Sequence, residues 1–152
     1  MNDAVMLDTS ILGMIAHPNA NPPVTKWIAD LLAAGVRVIL PEIADYELRR
    51  ELIVAGLKKS LIRLDELKAE LEFMPLTSEV MKLAAQLWAD SRSRGKKTAD
   101  DKELDGDAIL AALALTAGAI VATTNIGHLG QWVTAKNWPD IQPPADPASG
   151  EE

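Results

Sequence analysis

Short apolar runs that stop at polar turns, each followed by a stretch with helical spacing, narrow the folds open to this chain. Residues 4–7 (Ala-Val-Met-Leu) run into Asp8-Thr9-Ser10, and residues 119–122 (Ala-Ile-Val-Ala) run into Thr123-Thr124-Asn125. Between them, residues 36–40 are rich in β-branched side chains and give way to Pro41. Brief strands separated by helices predict an α/β fold, three-layer α/β/α with a mostly parallel central sheet. Ligands of such sheets gather outside the carboxyl ends of the strands. Asp8 and Asn125 are therefore expected along one edge.

The helices have readable punctuation. One is expected over residues 10–16. Asn21-Pro22-Pro23 opens a second, to about residue 34, and Gly35 stops it. Pro41 starts a third, which Gly56 interrupts or ends, and Leu57, Leu61, Leu64, Leu67 and Leu71 give the next segment helical periodicity. A brief strand is expected at residues 73–76, and Thr77-Ser78-Glu79 opens a helix to about Arg94. The polar residues 93–104 read as a loop, and residues 107–117 as a helix stopped by Gly118. At 152 residues the chain is long enough for one domain, expected over 1–138, with a Pro-rich acidic tail at 139–152 expected to be disordered.

Three places concentrate carboxylates. Asp8 follows the first strand directly, where it either caps the next helix or serves a site. On the helix from Pro41, a step of about 100° per residue puts Ile43, Ala44, Leu48, Val54 and Ala55 on one face. Glu47 falls inside that face and Glu51 beside it, whereas Asp45 and Arg49 fall opposite. A carboxylate turned toward a core is costly unless it is paired or holds a metal; Arg50 is the competing partner. Asp105-Gly106-Asp107 precedes an apolar helix, and two carboxylates there exceed what one cap needs.

With no cysteine, thiolate metal sites are excluded, and having only His17 and His128 argues against a multi-histidine zinc site. Oxygen donors suit Mg²⁺ or Mn²⁺ instead, ions that hold a phosphate and activate water. The net charge of −7 is unusual for a nucleic-acid binder, but bound cations offset clustered carboxylates. Basic residues also cluster locally, at Arg49-Arg50, at Lys58-Lys59 with Arg63, and at residues 92–97. With no signal segment and no apolar run long enough to span a bilayer, a cytoplasmic protein is expected.

Four blocks together resemble the PIN-domain family, specifically its VapC-type toxin ribonucleases. They are Val5-Met6-Leu7-Asp8-Thr9-Ser10-Ile11-Leu12, Leu40-Pro41-Glu42-Ile43-Ala44-Asp45-Tyr46-Glu47-Leu48, Asp105-Gly106-Asp107-Ala108-Ile109-Leu110-Ala111-Ala112 and Val121-Ala122-Thr123-Thr124-Asn125. The resemblance implies that Asp8, Glu47 and Asp107 bind metal, with Asp105 auxiliary. It implies hydrolysis of RNA with Mg²⁺ or Mn²⁺, a VapB-like antitoxin partner and a homodimer. Many relatives carry Asp where Asn125 stands, or just beyond it at His128, so a second metal site is in question. Two other readings stay open: an RNA-processing PIN nuclease without an antitoxin, and a catalytically impaired PIN-fold binding module. A phosphatase built on Asp8 would want a second Asp at Ser10.

Overall fold

Five strands, β1 (Ala4–Leu7), β2 (Arg37–Pro41), β3 (Glu72–Met74), β4 (Ile120–Thr123) and β5 (Ala135–Asn137), form one sheet in the order β3-β2-β1-β4-β5. All four pairings are parallel. The structure is a computed structural model that describes residues 4–19, 21–94 and 101–144. Its helices are α1 (Thr9–Ala16), α2 (Pro22–Ala33), α3 (Glu42–Ala55), α4 (Lys58–Glu70), α5 (Ser78–Ser93) and α6 (Asp101–Ala117). The chain builds outward from β1 to β3, then returns to place β4 on the other side of β1. That reversal opens a crevice at the carboxyl ends of β1 and β4.

Because side chains alternate along a strand, β1, β2 and β4 each feed two cores. Val5, Leu7, Val38 and Leu40 pack beneath α1 to α4. Ala4, Met6, Ile39 and Val121 pack against α5 and α6 on the opposite face. The expected three layers and parallel sheet are present. With both faces covered, β1 is buried along its whole length, which explains its uninterrupted apolar sequence.

Helix ends follow local chemistry. Asp8 accepts from the Ile11 amide, Asn21 from Val24 and Thr77 from Val80, so three helices start on side-chain caps. Gly56 at φ 68° closes α3, with the Leu57 amide bonded back to Leu52 O.

Three expectations change. Helix α6 begins at Asp101, so the 93–104 segment is partly helical and Asp105 and Asp107 lie within the helix rather than at its cap. Residues 95–100 lie outside the described residues. Asp45 is buried, not solvent-facing: Arg49 pairs with it at 2.8 Å and with Asp65 of α4 at 2.8 Å. Conversely Val54 is 89 % exposed, because α3 runs past the core before Gly56 ends it. Past residue 138, Ile141 is buried in the core, and its carbonyl accepts from Trp27 Nε1 at 2.7 Å. Residues 145–152 of the expected tail lie outside the described residues.

Candidate active site at the carboxyl edge

The β1–β4 pairing continues past the strands as a polar edge. The Asp8 amide donates to Ala122 O, and the Thr124 amide donates to Ser10 Oγ at 3.3 Å. Ser10 in turn donates to Asp8 Oδ1 at 2.5 Å, and the same oxygen accepts the Ile11 amide at 3.1 Å. Asp8 is therefore both helix cap and edge carboxylate, half-buried beside the exposed Ser10.

Glu47 joins this edge from α3. Thr9 Oγ1 donates to Glu47 Oε1 at 2.7 Å, which ties α3 to the first residue of α1. Arg50, the competing partner considered from the sequence, instead lies over the Tyr46 ring. The other oxygen of Glu47 points at α6. A Cβ added to Gly106 would stand 2.5 Å from Glu47 Oε2, so only glycine admits the carboxylate at this distance. Gly106 thereby brings Glu47 against the helix turn that carries Asp105 and Asp107. Asp107 is half-buried and Asp105 exposed.

Asn125 lies in the exposed turn after β4. That turn is closed by Thr123, whose buried Oγ1 accepts the Asn125 amide and donates to Asn125 O, both at 3.0 Å. His128 sits in the following 3₁₀ turn, Gly127–Gln131. In the sequence Thr9 is one residue of a polar turn, with no local mark of its contact with Glu47, and Gly106 stands between two aspartates. Glycine between two aspartates, inside a segment otherwise able to form helix, was the available signal.

Among the described residues, no three His, Asp or Glu side chains approach closely enough to hold a metal ion together. Asp8 and Glu47 are turned onto the Ser10 and Thr9 hydroxyls instead. The donor chemistry, all oxygen, nevertheless fits Mg²⁺ or Mn²⁺, which commonly take one or two carboxylates and complete their shell with water and substrate phosphate.

Among the described residues, most basic side chains are engaged. Arg49 is held by Asp45 and Asp65, Arg63 by Glu66 and Glu70, and Arg92 lies over Trp88. The Arg49 guanidinium is pushed above its ordinary value, chiefly by its hydrogen bond to Asp45. No helix among the described residues is long and apolar enough to cross a membrane.

No curated protein sequence matches the chain. Solved structures do. FitAcB from Neisseria gonorrhoeae is 23% identical with a TM-score of 0.68, covering 90% of this chain and 99% of its own. VapBC2 from Rickettsia felis, bound to a promoter DNA fragment, is 18% identical with a TM-score of 0.72, covering 89% and 98%. DNA-bound VapBC from Salmonella typhimurium is 16% identical with a TM-score of 0.66, covering 91% and 99%. At these identities the likeness is one of fold. The PIN domain family model matches residues 5–128, a span that runs from β1 to the turn after Asn125 and includes every acidic residue of the edge. The chain belongs to the PIN domain family.

Proposed function

We propose that this chain is a metal-dependent endoribonuclease and the toxin of a type II toxin–antitoxin pair. The observation that carries the nuclease reading is the stitch Thr9–Glu47–Gly106, which draws acid-bearing segments of α1, α3 and α6 to one sheet edge. Asp8, Glu47 and Asp107 are the residues to hold Mg²⁺ or Mn²⁺, with Asp105 and Asn125 auxiliary. A divalent ion there supplies charge for the scissile phosphate and a water of lowered pKa. The chain's own residues set the geometry: Ser10 and the Ile11 amide fix Asp8, and Thr9 fixes Glu47.

An apolar groove between α2 and α4 supports an antitoxin rather than a housekeeping role. Its volume is about 200 Å³, with Ile15, Ile28, Leu32, Leu67 and Leu71 along its walls and Arg63 among the residues lining it. An amphipathic partner helix suits such a surface. Leu64, although on α4, is fully buried in the core and takes no part. The structural neighbours named VapBC and FitAcB point the same way.

Purified protein is expected to cleave RNA with Mg²⁺ or Mn²⁺, to stop in EDTA, and to be inactive as Asp8→Asn. Undiminished cleavage in chelator would sink the mechanism. Co-purification with the product of an adjacent small gene, lost in Leu32→Glu, tests the partner; retention in that variant removes the groove from the account.

A further inference from the structure

At the far end of α1 a second pocket, about 300 Å³, is lined by His17, Pro18, Gly56 and the first residues of α4. His17, Lys58 and Lys59 bring basic side chains to it. Helix α4 starts at Leu57 without any side-chain cap and with no acidic residue in its first turn. The amides of Lys59 and Ser60, which a cap would satisfy, find no acceptor among the described residues. Lys58 and Lys59 stand at this positive end of the helix dipole, where cations are disfavoured. Neither has an anionic partner among the described residues, unlike Arg49 and Arg63.

Ser60 is the independent observation. It is only 3 % exposed, it lines the pocket, and its hydroxyl makes no hydrogen bond to any described residue. His17 adds a donor: its Nδ1 accepts the Asn19 amide at 3.0 Å, which leaves Nε2 to carry the proton outward.

We propose that this pocket binds a phosphate group of the RNA strand that enters the acidic edge. The Lys59 and Ser60 amides and the Ser60 hydroxyl cradle its oxygens, and Lys58 and Lys59 balance its charge. Helix α1 spans the interval between the two places: Thr9 meets Glu47 at one end, and His17 lies eight residues on, about 12 Å along the axis at 1.5 Å per residue. One strand can engage both. The identity of the strand rests on the ribonuclease reading; the anion site itself does not.

The test has two arms. Inorganic phosphate is titrated into ¹⁵N-labelled protein while amide shifts are followed. The Lys59 and Ser60 amides are expected to move together, with affinity about fivefold weaker in Ser60→Ala. In the second arm an RNA oligonucleotide is bound to the Asp8→Asn protein, with and without Lys58→Ala and Lys59→Ala. The lysine changes are expected to weaken binding about tenfold and to flatten the log K against log salt slope by about 0.7, the value for one phosphate on a single strand. Still amides in high phosphate overturn the site, whether or not the protein cleaves RNA. Moving amides with unchanged RNA affinity and salt slope overturn the RNA assignment and leave a site for free phosphate alone.

Discussion

The carboxylate of Glu47 occupies space that a side chain on Gly106 would need: a Cβ there would lie 2.5 Å from Oε2. Glycine is otherwise a poor choice at this position, since it sits inside α6 and costs about 1 kcal/mol relative to alanine. Gly106→Ala is therefore expected to separate stability from activity. The atom it strikes is the tip of a flexible side chain, which can swing away at little cost. Thermal stability should hold or rise, while RNA cleavage falls about tenfold or more as Glu47 leaves Thr9. A melting curve beside a cleavage assay checks this. A large loss of stability would show that Glu47 is wedged too firmly to yield.

Asp8 carries two roles that one substitution can divide. As a cap it is replaceable, because asparagine serves an N-terminus about as well. As a metal ligand it is not. Asp8→Asn should leave the melting temperature within a degree or two and lower cleavage at least about a hundredfold. Asp107→Asn should lower cleavage by a similar factor. Asp105, exposed and lining a groove with Trp88 and Met81, should tolerate asparagine with only a few-fold loss. Equal effects of the Asp105 and Asp107 changes would remove the distinction drawn between them.

The Asp45–Arg49–Asp65 cluster makes a prediction about stability alone. Asp45 is buried, so removing Arg49 leaves a carboxylate in the protein with no cation near it. Breaking a fully buried pair costs about 3–5 kcal/mol, and the partial exposure of Arg49 brings the expectation for Arg49→Met to about 2 kcal/mol. Urea denaturation measures it. Because Asp65 is exposed, Asp65→Asn should cost well under 1 kcal/mol.

The parts of this fold that the sequence revealed are those where local and tertiary signals agree. Strand β1 and the inner residues of β2 and β4 are apolar because both faces of the sheet are covered, and caps at Asn21 and Thr77 mark their helices. The start of α6 was hidden because its first turns are polar and contain Gly106, a residue chosen for its contact with Glu47 and not for helix propensity. Asp45 was misplaced because Val54 and Ala55 drew the inferred apolar face toward the exposed end of α3. Its true environment depends on Asp65 in another helix, a contact no periodicity encodes. Glu47 was legible as a misfit on its helix, but Thr9 was not, since a hydrogen bond across 38 residues leaves no local trace. Strand β5, only Ala-Lys-Asn at the sheet edge, carries no apolar run to betray it.

Asn125 supplies the last prediction. Its turn is held by the Thr123 hydroxyl through the Asn125 backbone, so the Asn125 side chain is not what closes it. Substitution there should be structurally mild: Asn125→Asp and Asn125→Ala are both expected to change stability by under about 0.5 kcal/mol, as exposed positions usually do. Thr123→Val, by contrast, removes a buried hydroxyl that serves two backbone groups and should cost about 1–2 kcal/mol. With the backbone accounted for, the side chain of Asn125 is available to the edge it shares with Asp8. An amide oxygen can ligate a divalent ion but brings no charge. The wild-type protein is therefore expected to bind one Mn²⁺ measurably and a second only weakly, or only with substrate phosphate present. Asn125→Asp should tighten the second event and raise cleavage at low Mg²⁺, while Asn125→Ala lowers cleavage. Calorimetric titration of Mn²⁺ into the three proteins reads this directly, and two equally tight ions in the wild type would show that the missing charge costs nothing.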